Sequence, residues 1–91
     1  MFTVRHIEPN ENESIFSADS VAYAVNLDAK TSNEKVVFAY HGNGTTIIAS
    51  GVVYVMNDSG KTVAVYSFPG PPPNHKFDRA GNAHAIAGLE G

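Results

Sequence analysis

The stretch VVYVMNDSGKTVAVYSF, residues 52 to 68, predicts two β-strands joined by a tight turn. β-Branched and aromatic residues, which favour strands, fill both arms. In NDSG (57–60) the first three residues suit a type I turn, and Gly60 suits the left-handed position that follows. This three-residue loop with a glycine bulge predicts that Met56 pairs with Thr62 and Val55 with Val63.

The predicted register divides the hairpin into two apolar faces. One face, the expected dry core, consists of four valines: Val53, Val55, Val63 and Val65. The other face carries tyrosine, methionine and alanine: Tyr54, Met56, Ala64 and Tyr66. A tyrosine ring can be buried while its hydroxyl stays in water, and methionine adapts to irregular partners. We therefore predict that Tyr54, Met56 and Tyr66 bind a partner, this face being covered by the C-terminal segment, by a second copy or by a target.

Further strands are predicted on both sides of this hairpin. FTVRHIE (2–8) alternates along a strand, and KVVFAYH (35–41) is a strand with Val36, Phe38 and Tyr40 on one side. GNG (42–44) closes this second strand onto TTIIAS. Segments 14–17 and 21–27 are predicted as two strand pieces, with ADS as a bend or bulge within one strand pair. No segment up to Phe68 has a helical apolar period. The predicted fold is mainly β: a small antiparallel sheet, arranged as a meander, a curled sheet or a barrel-like roll.

The composition changes abruptly after residue 68. We predict an antiparallel β domain over 1–68 and a Pro/Gly/Ala-rich tail over 69–91 that is not an independent domain. The prolines favour an extended segment, and they have no backbone N–H group to donate to a neighbouring strand. If the tail is docked, residues 77–89 have the alternative of forming a short helix, although the glycines of this segment disfavour it. Phe77 is the tail's single aromatic residue and is the predicted anchor for binding a partner.

Size and charge bound the function. Ninety-one residues form one domain with a thin stability margin, which self-association could improve. The formal charge is −3 and the six basic residues are scattered, so we expect no direct nucleic-acid binding. No apolar run approaches the roughly 20 residues of a membrane span, and the N-terminus lacks a signal peptide's apolar stretch. Together with the absence of cysteine, this predicts a cytoplasmic protein without membrane association.

The sequence has no convincing motif for catalysis, phosphate binding or metal binding. SGKT (59–62) resembles the end of a phosphate-binding loop, but Val55 stands where that motif needs glycine and a strand follows instead of a helix. The four histidines show no metal-ligand spacing, and no nucleophile is placed beside a base. We therefore predict no enzymatic activity, no catalytic residue, no metal site and no cofactor.

The stretches MFTVRHIEPNENES (1–14) and VVYVMNDSGKTVAVY (52–66) carry a family resemblance. They resemble small uncharacterised accessory proteins of temperate phages and prophages, which often open with a Phe-x-Val-Arg strand and end in a V-M-N-x-x-G-x-T-V-A hairpin. The likeness covers about a third of the chain and carries no functional residue over. It implies a compact protein that binds a host protein, a group that includes inhibitors of bacterial defence systems such as anti-CRISPR proteins.

Two functions follow as expectations. The first is a non-enzymatic protein-binding module whose partner is a host protein and which inhibits host defence. The alternative is a small-molecule or nucleotide-binding oligomer that sequesters its ligand by stacking a base on tyrosine at a subunit interface. In either case we predict a homodimer to which residues 69–91 contribute.

Overall fold

The computed structural model describes residues 1–26, 35–68 and 83–90, with side chains for 1–24 and 35–68. This part of the chain forms eight strands and no helix. Their bounds are β1 (Phe2–Ile7), β2 (Glu13–Ala18), β3 (Ser20–Asn26), β4 (Lys35–His41), β5 (Gly44–Ile48), β6 (Gly51–Met56), β7 (Thr62–Phe68) and β8 (Ala83–Glu90). The predicted mainly β, antiparallel fold is confirmed.

The strands form two four-stranded antiparallel sheets. Sheet A has the order β2-β1-β6-β7, and sheet B has the order β5-β4-β3-β8. Two of the pairings, β1 with β6 and β3 with β8, join strands that are far apart in sequence. The described strands therefore make two sheets that do not close into a barrel, and sequential hairpins account for only part of the topology.

The main core contains residues of both sheets. Along β1, alternation buries Phe2 and Val4 and leaves Arg5 exposed, as the sequence pattern predicts. The buried members of this core come from six strands: Phe2, Val4, Ala18, Val21, Val37, Ala39, Ile48, Val53 and Val55. Full burial of a valine side chain contributes about 1.5–3 kcal/mol, so each of these contacts is costly to lose.

Sheet B has a second apolar cluster, on the face opposite this core. Ala24, Val36 and Phe38 are buried there, and Tyr40 packs against them. The prediction that residues 36, 38 and 40 share one side of their strand is confirmed. Sheet B therefore buries apolar side chains on both faces.

A single residue, Asp19, separates β2 of sheet A from β3 of sheet B. Its backbone N–H donates to the Tyr40 carbonyl oxygen at 2.7 Å, which fixes the bend against β4. A bend at this place was predicted, but its assignment to one strand pair is wrong. The chain changes sheets here, because β2 pairs with β1 whereas β3 pairs with β4.

The turns that join β1 to β2 and β6 to β7 share one hydrogen-bonding pattern. In the second, the Asn57 N–H donates to the Lys61 carbonyl and the Gly60 N–H donates to the Asn57 carbonyl. In the first, the Glu8 and Glu11 N–H groups make the equivalent bonds. Gly60 has φ 81°, as predicted, whereas Glu11 occupies the same left-handed position with φ 70°. The β1–β2 turn therefore carries strain that a glycine would not.

The described part of the C-terminal tail is a strand. β8 pairs antiparallel with β3, with a register shift between Tyr23 and Ala24. The alternative of a short helix over 77–89 is therefore wrong for residues 83–89. Alanine and glycine have weak strand preference, so pairing with the available edge of β3 decides the conformation. Phe77 lies outside the described residues.

Within the described ranges, no helix is long and apolar enough to cross a membrane.

Candidate functional site

A β-bulge determines which side chains of the β6–β7 hairpin are accessible. The predicted pair Met56–Thr62 is confirmed, but the register shifts immediately beyond it. Val55 then pairs with Ala64, and Val53 pairs with Tyr66. The predicted pairs of Val55 with Val63 and of Val53 with Val65 are wrong, because the bulge places one extra β7 residue opposite β6.

The bulge exchanges the faces of the β7 side chains. Val53 and Val55 are fully buried, as predicted, and Ala64, Tyr66 and Phe68 pack against the same core. Val63 and Val65 are 41% and 53% exposed, so the prediction that they belong to the dry core is wrong. A one-residue shift moves side chains to the opposite face of a sheet, which explains the exchange.

The resulting surface is the outer face of sheet A, the side away from the main core. One row crosses all four strands, with Ile15 beside Arg5, Arg5 beside Tyr54 and Tyr54 beside Val65. Ile15 is 63% exposed, and Val65 at the far end of the row is also exposed. The other apolar side chains of this face are half-buried or exposed: Ile7, Val52, Met56 and Val63.

A cation lies within this apolar surface. The Arg5 Nε donates to the Glu13 Oε1, forming an ion pair between β1 and β2. The Arg5 guanidinium carbon lies 5.7 Å from the centroid of the Tyr54 ring, within range of a cation–π contact. The Arg5 side chain is 45% exposed. The outer face of sheet A therefore offers apolar contact area around one oriented, accessible guanidinium.

Tyr66 is held on the other side of the sheet. Its ring stacks on Tyr23 of sheet B, with centroids 4.7 Å apart and an interplanar angle of 16°. Phe68 also lies near Tyr23, at 6.3 Å between centroids. Burial, and secondarily the neighbouring Tyr23, raises the pKa of Tyr66 above its ordinary value of 10.0. These aromatic contacts link the edge of sheet A to sheet B.

The structure therefore separates the predicted partner-binding residues. Tyr54 and Met56 lie on the outer face of sheet A and are half-buried. Tyr66 faces the main core, so it does not share their surface. Phe77 lies outside the described residues. The partner-binding role of all four residues stays a prediction.

Two of the histidines have neutral hydrogen-bonding partners. The His6 Nε2 lies 2.8 Å from the Ser50 carbonyl oxygen, and the His41 Nε2 lies 3.0 Å from the Thr46 Oγ1. Among the side chains that the structure describes, no group of three or more His, Asp or Glu residues could hold a metal ion.

Sequence reasoning missed Ile15, Val63 and Val65 as surface residues. A signal for the β7 residues was present, because strand alternation puts Ser67 on the same face as the two valines and Phe68 on the same face as Ala64 and Tyr66. Phenylalanine is buried more often than serine, so the face of β7 that carries Phe68 is expected to point toward the core, as observed.

Comparison with protein-family models, with curated proteins and with solved structures gives no match to this chain.

Proposed function

We propose that this chain is a non-enzymatic protein-binding module that binds its partner with the outer face of sheet A. The observation that carries the proposal is the exposure of Ile15, Val63 and Val65 on one face of an ordered sheet. Scattered exposed apolar residues are ordinary, but a contiguous apolar surface is typical of an interaction site. Here the register places Val65 beside Tyr54 on the neighbouring strand, and Ile15 lies in the same cross-strand row on the other side of Arg5.

The dimensions of this face suit a small protein interface. Four strands about 4.8 Å apart and six residues long at about 3.3 Å each give roughly 400 Å² in plan. Side-chain relief increases the accessible area, and typical interfaces bury about 800 Å² per partner. In plan the surface is therefore about half of what a typical interface buries per partner, before side-chain relief is counted.

Arg5 indicates the chemistry of the partner. Glu13 accepts a hydrogen bond from its Nε, and a guanidinium carries further N–H donors on its terminal nitrogens. Arginine and tyrosine are also enriched among the residues that dominate binding energy at interfaces. The partner proposed is a protein with an apolar surface and an acidic side chain that reaches Arg5.

The proposal extends to biological context through the phage-protein resemblance of residues 1–14 and 52–66. It casts the chain as a phage-encoded cytoplasmic protein that binds a host protein and inhibits a defence system in the manner of anti-CRISPR proteins. This extension depends on the resemblance alone, whereas the proposed binding surface depends on the exposure of Ile15, Val63 and Val65.

The test is capture of a host protein from bacterial lysate by the full chain and by matched variants. Ile15→Lys adds a charge to the outer face of sheet A, and we expect it to reduce capture at least tenfold. Asn43→Lys adds the same charge in the exposed β4–β5 turn and should capture the partner normally.

Equal capture by both variants would contradict the proposed surface. If instead a nucleotide raised the Tm and no specific protein were captured, the alternative of a nucleotide-sequestering oligomer would replace the proposal.

A further inference from the structure

The two edge strands of sheet A differ in how they are protected. β2 begins with the charged Glu13, which is ion-paired to Arg5. β7 reads TVAVYSF, contains no charged residue and no proline, and among the described strands pairs only with β6. Natural proteins usually blunt an exposed edge with charge, proline, a bulge or short length, because its free N–H and C=O groups can pair with another strand.

The bulge protects only one end of β7. Its register shift lies between Val55 and Met56 of the partner strand, next to the turn. Beyond it, residues 64–68 pair regularly with residues 51–55. Most of β7 is therefore a regular strand, and its side chains alternate between the main core and the outer face of sheet A.

We propose that β7 pairs antiparallel with β7 of a second copy of this chain, joining two copies of sheet A into one eight-stranded sheet. Pairing the regular run 64–68 with itself places the two-fold axis at Tyr66. Val65 of each copy then lies opposite Ser67 of the other, on the outer face. A two-fold contact must be self-complementary, and an uncharged strand meets this condition because no like charges face each other.

A second copy fits this edge better than a charged partner would. Each chain carries a formal charge of −3, but none of that charge lies on β7. Screening at physiological ionic strength limits repulsion between the remaining charges to about 8 Å. Pairing would also place two outer faces side by side, doubling the surface proposed to bind a partner. The inference does not depend on that function.

The test is the dissociation constant of self-association of the full chain, measured by sedimentation equilibrium. Val65→Lys places a charge on β7, the terminal strand of sheet A among those described, and we expect it to weaken association at least tenfold. Ile15→Lys is the matched control, because Ile15 lies in the same cross-strand row at the opposite edge and is similarly exposed. Val65→Thr keeps β-branching without charge and should associate like the parent chain.

Each outcome decides the proposal. A parent chain that stays monomeric between about 1 μM and 1 mM would overturn it. Association that Ile15→Lys abolishes and Val65→Lys leaves intact would also overturn it, placing the contact elsewhere on sheet A. Association unaffected by either variant would assign the dimer to another surface, such as the predicted contact through residues 69–91. Circular dichroism melts establish that each variant is folded.

Discussion

The inner and outer faces of sheet A are built from the same four strands and from similar side chains, but their environments differ. On β6, Val53 and Val55 are fully buried. On β7, Val63 and Val65 are substantially exposed. Residue type therefore does not decide which valine stabilises the fold. Register decides it, and the register here depends on one bulge and two turns.

The largest expected effect is on the free energy of unfolding, when a buried and an exposed valine of the same hairpin are each replaced by alanine. Val55→Ala removes buried methyl groups from the main core and should lower the free energy of unfolding by about 2–3 kcal/mol. Val65→Ala removes the same atoms from the outer face and should change it by less than about 0.5 kcal/mol. Urea denaturation of both variants measures the contrast. Equal destabilisation would mean that Val65 is buried and that the register described here is wrong.

Substitutions at the left-handed positions of the two turns of sheet A should change the free energy of unfolding in opposite directions. Glu11→Gly relieves the strain at φ 70° and should raise the free energy of unfolding by about 0.5–1 kcal/mol. Gly60→Ala introduces the same strain at φ 81° and should lower it by about 1 kcal/mol. Added Cβ at residue 60 meets no atom within 4 Å, so the second change tests backbone conformation alone.

Thermal or urea unfolding of both variants provides the measurement. Stabilisation by Gly60→Ala, or destabilisation by Glu11→Gly, would show that the shared turn geometry is wrong.

The two faces should also differ in alkaline solution, through Tyr66. Because burial raises its pKa in the folded state above 10.0, the folded chain holds the phenol proton more tightly than the unfolded chain. Folding stability from this group is therefore fully present below pH 10 and falls as pH rises from about 10 through the raised pKa. Tyr66→Phe should remove this component of the fall, whereas Tyr54→Phe on the outer face should keep it. Free energies of unfolding measured across this pH range would contradict the assignment if the two variants behaved alike.

Local patterns in the sequence predict much of sheet A and of the β4–β5 hairpin. Phe2 and Val4 alternate with exposed Arg5, and Gly60 marks its turn, because side-chain period and backbone freedom are local properties. The bulge near Val63 cannot be predicted from local sequence patterns in this way. Either register of the hairpin buries apolar side chains, and contact with sheet B selects between them.

Three further features were not predicted, because they too depend on contacts between segments that are distant in sequence. β8 contains alanine and glycine, and its strand is specified by the edge of β3 rather than by its own preference. The change of sheet at Asp19 occupies one residue and leaves no loop to recognise. Tyr54 and Met56 lie on the outer face of sheet A, whereas Tyr66 faces the main core, because the sequence predicts a bulge at Gly60 but not the second bulge at Val63.

The pairing of β3 with β8 has a consequence for the timing of synthesis. All four strands of sheet A lie within residues 2–68, whereas sheet B is completed by residues 83–90. At 5–20 residues per second, the chain between residue 68 and residue 90 takes about 1–4 s to synthesise. During that interval the four described strands of sheet A have been synthesised, whereas β8, the second described neighbour of β3, has not. The nascent chain therefore depends on a late segment to close an edge beside Val21 and Tyr23, where premature pairing with another polypeptide would compete.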